Sequence, residues 1–428
     1  MSGEEKPQPH AHYTLATLLL VFVFSHIDRN ILNILVEPIK AELGVSDTVM
    51  GWLTGPAFAV FYATLAIPVA RYADRGSRKA IIVVGLILWS VVTAAQGLVR
   101  VFWHLVVARI FVGIGEATTS PASHSMISDY YPPARRAVPL SIFAAGGHIG
   151  MMAGYMFGGV INDWMGWRTA FVAVGLPGLL VALVFWFTVR EPRRGQAETV
   201  SDDEEPSFRE VIGYLMRRPA FRHLNYSAVL YVVAIYGFNV WGPAFLMRVH
   251  GLSTSEAGLS FGPVTGIAGF LGTLASGALS DRMTTRDVRW AMWIPVVGAV
   301  STIPFCVGFL FAPDPQLALV FYGAQVFLAT FWMGPTFWVC QGLAKLRMRA
   351  MASALLLLSV NLLGMGLGPV LIGVLNDALR SGFGEASIRY SLLVLCVPML
   401  WAAAHSLAVN RTLESDLALA KTSGAETD

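Results

Sequence analysis

Four ionisable side chains stand where apolar sequence would bury them: Asp28 and Arg29 in VFVFSHIDRNILNIL, and Arg109 and Glu116 in RIFVGIGEA. Two carboxylates and two guanidiniums balance in charge, and together they could hold a proton, release it and pair with an anion. A charge deep in hydrocarbon costs several kcal/mol, from ~3 to more than ~10, and ionisable residues there mostly mark proton or substrate pathways. Seven residues bring a helix almost two full turns, so Arg109 and Glu116 share a face. Asp28 and Arg29 are adjacent, about 100° apart, and cannot both aim at one point. One geometry that fits has Arg29 facing a cavity and Asp28 lying against the Arg109–Glu116 face. A bland alternative is an ion network that only pins the first helix to the fourth. Buried ion pairs stabilise weakly after desolvation, so a working role is the preferred reading. An anion engaging Arg29 or Arg109 would weaken that arginine's hold on Asp28 or Glu116, and the released acid would take up a proton. Asp28 and Glu116 are therefore the proton-coupling candidates, and Arg29 and Arg109 the substrate-binding ones.

The elements that must position these residues are membrane helices. The chain has 428 residues, 55% hydrophobic and 13% charged, against about 25% charged in soluble domains. Stretches long enough to cross a bilayer, about 20 residues, occur near 14–38, 48–71, 79–100, 103–129, 137–161, 168–190, 223–247, 254–280, 288–312, 316–343, 349–376 and 388–410. The expected fold is all-α, with twelve transmembrane helices in two pseudo-symmetric bundles of six. The bundles cover 14–190 and 223–410. They are flanked by tails at 1–13 and 411–428 and divided by a charged linker at 191–222 in which FREVIGYLMRR reads as an amphipathic helix at the membrane surface. An even number of crossings puts both termini on one side. That side carries 22 Lys and Arg and the other 6, so the positive-inside bias places both termini in the cytoplasm. The plasma (inner) membrane is the expected location. Cys306, Cys340 and Cys396 have no metal-like spacing, and no Walker-type glycine loop binds a nucleotide. No metal, cofactor or enzymatic activity is expected.

Two segments repeat across the halves. ARYADRGSRK (70–79) follows the second helix and GALSDRMTTR (277–286) the eighth. In the fifth helix Gly150, Gly154, Gly159, Asn162 and Asp163 recur in the eleventh as Gly364, Gly368, Gly373, Asn376 and Asp377, at a constant offset of 214. Single matches are explained by packing glycines; a shared register is not. Asp74 and Asp281 in the repeated loops could each cap the positive N-terminus of a neighbouring helix, the eleventh and the fifth respectively. With Arg75, Arg78 and Arg282 they form a candidate cytoplasmic gate, although Arg78 and Lys79 also fit a plain topology signal.

Two six-helix halves, a cytoplasmic linker, duplicated Asp-Arg loops and R-x-x-x-G-x-G-x-A in the fourth helix resemble the major facilitator superfamily. SHIDRN, GEATTSPASHSMISDYYPPARR and SIFAAGGHIGMMAGY resemble its Spinster group of lysolipid and sphingolipid-phosphate transporters. The first-helix Asp-Arg and fourth-helix R-x6-E are also similar to proton-coupled organic-anion symporters of that superfamily. Both resemblances imply proton sensing at Asp28, and family analogy puts His148 on a cavity-lining helix.

The second half carries no charge in the centre of a span. It offers aromatics and neutral polar groups, of which Tyr236, Asn239, Trp332 and Asn361 complete the substrate-binding candidates. A charged wall opposite an apolar one suits an amphiphile with an anionic head and a hydrocarbon tail. The expected activity is proton-linked transport of a lysophospholipid or sphingosine-phosphate-type lipid by alternating access. Proton-coupled symport of small organic anions or drugs is the alternative. The expected partners are that lipid, protons and membrane lipids, with no nucleic acid, for a functional monomer.

Overall fold

Backbone in hydrocarbon must satisfy its own hydrogen bonds, which leaves helices as the solution for long apolar runs. The computed structural model describes residues 10–73, 76–132, 135–192 and 207–425, and among these there is no strand. The first expected crossing is α1 (Ala11–Ile34) with the short α2 (Val36–Leu43). The second is α3 (Asp47–Thr54) and α4 (Pro56–Ala73), the third α5 (Arg78–Gln96), and the fourth α6 (Phe102–Glu116) with α7 (Thr119–Tyr130). The fifth and sixth share α8 (Ala137–Thr188), 52 residues broken at Gly166, whose φ of 80° and ψ of 160° no helix allows. After α9 (Phe208–Met216) come α10 (Pro219–His250), α11 (Thr254–Thr284) and α12 (Trp290–Phe311). The tenth crossing joins α13 (Pro315–Ala329) to α14 (Met333–Gly342) through a 3₁₀ turn, Thr330–Trp332. The eleventh joins α15 (Arg349–Ser359) to α16 (Gly366–Phe383) through a π-helical turn, Val360–Met365. The last is α17 (Ser387–Leu393) with α18 (Cys396–Asn410), and α19 (Leu413–Ala425) follows.

By length and hydropathy, nine helical runs among the described residues can cross a membrane. Two of them, 137–188 and 349–410, hold two crossings each. The fourth expected crossing is made of two consecutive helices, α6 and α7, of 15 and 12 residues, each too short to cross alone. The twelve expected crossings are thereby accounted for. Helix starts follow the sequence: Ser46, Ser77, Ser207 and Asp314 each accept a hydrogen bond from a backbone N–H of the first turn they precede. In α9 the apolar pair Val211 and Leu215 is fully buried and packs against α10 and α15, so this face is turned to protein.

The chain divides into two compact units. One comprises Met1–Val45, Ala57–Asp202 and Leu252–Gly266; the other comprises Ser46–Pro56, Asp203–Gly251 and Ile267–Asp428. Each unit therefore includes a short segment from the other half of the sequence, and the duplicated motif explains how it is held. In the first unit a Cβ at Gly159 would lie 2.4 Å from the Thr254 carbonyl oxygen. One turn on, Asp163 Oδ2 accepts the Ser255 N–H at 2.8 Å and Asn162 Nδ2 donates to Thr254 Oγ1 at 3.1 Å. In the second unit a Cβ at Gly373 would lie 2.4 Å from the Asp47 carbonyl oxygen. There Asp377 accepts the N–H groups of Thr48 at 2.8 Å and Asp47 at 3.2 Å. Glycine lets the backbones touch and aspartate caps the first turn of α11 or α3.

Candidate functional site

The rotation of α1 decides where its polar residues point. Along α8, Gly150 lies against the Val23 carbonyl and Gly154 against Ile27, so the face of α1 carrying residues 23, 27 and 30 is turned to α8. Two residues beyond Ile27, about 200° around the helix, Arg29 faces away from α8. Its Nη2 and Nε donate to Glu116 Oε2 at 2.7 and 3.2 Å, with the two side chains 10% and 0% exposed. Ser25, one turn before Arg29, donates to the same oxygen at 3.2 Å. Asp28 points about 100° away and accepts Thr93 Oγ1 of α5 at 3.0 Å. The expected assignment is thus corrected for Arg29. Arg29, not Asp28, meets Glu116, because the glycine contacts with α8 set the rotation of α1.

Arg109 completes the cluster by donating from Nη2 to the Arg29 carbonyl oxygen at 3.2 Å. The two guanidiniums lie over one ring: Phe58 is 4.8 Å from the Arg29 guanidinium and 4.7 Å from that of Arg109, and Tyr62 is 4.6 Å from Arg29. Aromatic faces stabilise desolvated cations without neutralising them. All four charged side chains are buried. Glu116 Oε1 and Asp28 Oδ1 have no hydrogen-bond partner among the described residues.

The remaining candidates are placed as follows. His148 is half-buried on α8, next to Gly147, whose Cβ position lies 3.2 Å from His26 Nε2 on α1. In the second unit Asn239 lines a small cavity of about 40 Å³ with Tyr322 and Gln325, and Gln325 Oε1 has no hydrogen-bond partner among the described residues. Tyr236 is half-buried nearby on α10. Trp332 stacks on Tyr231 with centroids 5.9 Å apart, and Asn361 sits in the π-helical turn. Such turns concentrate at functional sites. Asp74 and Arg75 lie outside the described residues, while Asp281 and Arg282 are exposed at the end of α11.

Arg78 is 2% exposed and is the hub of its own cluster. It pairs with Asp129, donates from Nε to Glu191 Oε1 at 2.9 Å, and reaches the Pro192 carbonyl oxygen at 2.8 Å. Burial works against the Glu191 carboxylate, but the N–H of Lys79, the Ser77 hydroxyl and Arg78 hold its proton affinity below the ordinary range. Thr93, Ser25, Phe58, Tyr62, Asp129 and Glu191 were not anticipated as site residues. Only the i, i+4 spacing of Ser25 with Arg29 and of Phe58 with Tyr62 was a usable signal.

Residues 18–369 match the Major Facilitator Superfamily. An MFS-type efflux pump of Mycolicibacterium smegmatis is 33% identical over 90% of this chain and 89% of its own length. Protein spinster homolog 1 of Xenopus tropicalis is 27% identical over 95% of this chain and 82% of its own. Among solved structures, the crystal structure of a bacterial homologue of the human lysosomal transporter Spinster superposes with a TM-score of 0.87 at 30% identity, covering 96% of this chain and 99% of the other.

Proposed function

Because the chain belongs to the Major Facilitator Superfamily, and within it to the Spinster group, we propose that it moves an anionic amphiphile, of lysophospholipid or sphingosine-phosphate type, coupled to protons through Asp28 and Glu116. It is an integral membrane protein, and family membership supports secondary transport by alternating access. The observation that carries the coupled reading is the Arg29–Glu116 pair at 2.7 Å beside Asp28, with one oxygen on each acid unpartnered among the described residues. An anion that draws Arg29 away leaves Glu116 uncompensated in a desolvated site, where taking up a proton is the cheapest remedy. The proton then travels with the anion. The lipid reading rests on the Spinster resemblance and on the neutral, aromatic character of the second half, where Asn239, Gln325, Tyr322 and Thr330 are uncharged polar groups beside a mostly apolar cavity. The charge bias supports cytoplasmic termini, and the plasma membrane is the location proposed with them.

Proteoliposome uptake tests both parts. Labelled lysolipid should accumulate under an imposed pH gradient, and Asp28→Asn should remove the dependence on that gradient while the protein stays folded. Robust uptake of small carboxylates with no movement of lysolipid would replace the lipid reading with symport of small organic anions or drugs, which similarity to an efflux pump also fits. Gradient-dependent uptake by Asp28→Asn equal to wild type would remove Asp28 from the coupling.

A further inference from the structure

Away from the buried quartet, α9 and α19 enclose a groove of about 660 Å³, within the range that takes small ligands. Arg209, Gly213 and Arg217 line it at positions i, i+4 and i+8 of one helix face. The glycine leaves a notch between two exposed guanidiniums: a Cβ at Gly213 would meet nothing within 4 Å. Arg218 closes the floor, buried and fixed by its bonds to the Asp416 carbonyl oxygen at 2.6 Å and the Tyr214 hydroxyl. Two carboxylates, Glu210 and Asp416, border the groove with the three arginines, so its lining keeps a net positive charge, and Asp416 is turned to the Ala220 N–H at 3.1 Å. Lys345 lies 5.5 Å from the ring of Tyr214, a lining residue, and adds positive charge beside the groove. The rim has an apolar side at Leu419, which is 56% exposed. The groove also ends directly at α10, a span that begins at Pro219.

We propose that this groove binds the headgroup of an anionic phospholipid, with its phosphodiester between Arg209 and Arg217 and its glycerol against Leu419. Basic residues flanking a membrane helix attract anionic lipid, and arginine binds phosphate through several charge-assisted hydrogen bonds. The apolar side at Leu419 and the junction with a membrane span favour a lipid over a soluble phosphate. Nothing in this assignment depends on what the protein transports.

The test uses the full-length protein in detergent, titrated with palmitoyl-oleoyl phosphatidylglycerol or the phosphatidylcholine of the same tails, with bound lipids counted by native mass spectrometry. Wild type should bind its first phosphatidylglycerol at least ~10-fold more tightly than phosphatidylcholine. Arg209→Gln with Arg217→Gln should weaken it about 30-fold, at about fivefold per basic residue near a membrane surface. Gly213→Leu, which fills the notch, should weaken it as well without lowering the melting temperature. Equal phosphatidylglycerol retention by wild type and both variants would overturn the proposal, as would equal retention of the two lipids by wild type. Displacement by millimolar inorganic phosphate or glycerol phosphate would also overturn it, by assigning the groove to a soluble phosphate compound.

Discussion

At the scale of single residues, the arginines are where structure and mechanism can be separated. Removing one member of a buried ion pair strands the other at a cost of about 3–5 kcal/mol, whereas replacing both is often close to neutral. Arg29→Ala should therefore lower thermal stability strongly and also weaken binding of an anionic substrate. Arg29→Ala combined with Glu116→Gln should recover most of the stability but none of the binding. A double-mutant cycle with no coupling between the two positions would show that the 2.7 Å contact is energetically idle. Arg78→Ala should likewise cost about 3 kcal/mol, because Asp129 and Glu191 lose their common partner. Lys79→Ala gives up only a cation–π contact with Trp186, at most about 1 kcal/mol; equal melting of the two variants would return Arg78 to a plain topology signal. The quartet was legible in the sequence because charge in an apolar run stands out. Thr93 and Ser25 were not, since hydroxyl residues are common in membrane helices and mostly bond to their own backbone.

At the scale of elements, the register of the duplication was legible and its use was not. Five identities at an offset of 214 marked matching helices. In the fold, the repeated Asp ends each motif against the first turn of a helix from the other half of the sequence. Such caps contribute about 1 kcal/mol each. Asp377→Ala should therefore speed hydrogen exchange in the first turn of α3, and Asp163→Ala in that of α11; unchanged exchange at both would deny the caps any energetic role. The turn before α8 resumes after Gly166 has a pH signature of its own. Hydrogen bonding from Arg168 holds the Glu42 carboxyl below its ordinary value of 4.5, burial opposes this, and the Trp167 indole N–H adds to it at 2.6 Å. A lowered folded-state value means a contribution that is complete above pH 4.5 and fades as pH falls through the lowered value. The melting-temperature gap between wild type and Glu42→Gln should close over that acid range. It should also be small throughout, because Glu42 is 49% exposed.

At the scale of the whole molecule, the sequence pointed to two halves of six helices, yet the compact units are not those halves. The first unit takes in Leu252–Gly266 and the second Ser46–Pro56. Hydropathy cannot reveal this exchange, because a span has the same composition whichever neighbour its end packs against. The exchange makes a prediction about severed chains. A fragment of residues 1–199 would lack the Thr254 backbone that Gly159 packs on and the Ser255 N–H that Asp163 caps. A fragment of residues 200–428 would lose more. Arg248 is 5% exposed and donates through both terminal nitrogens to Asp47, at 2.6 and 2.9 Å, with Glu385 3.9 Å away as its other acid. Without Asp47, a buried guanidinium loses its chief counter-charge, at a cost of a few kcal/mol. Each fragment alone should accumulate poorly in membranes and melt early, and the second should be rescued in part by Arg248→Met. Produced together, the two should stabilise one another through the exchanged segments and regain transport. Equal accumulation and equal melting of the single and co-produced fragments would mean that 46–56 and 252–266 lie where they do without holding anything in place.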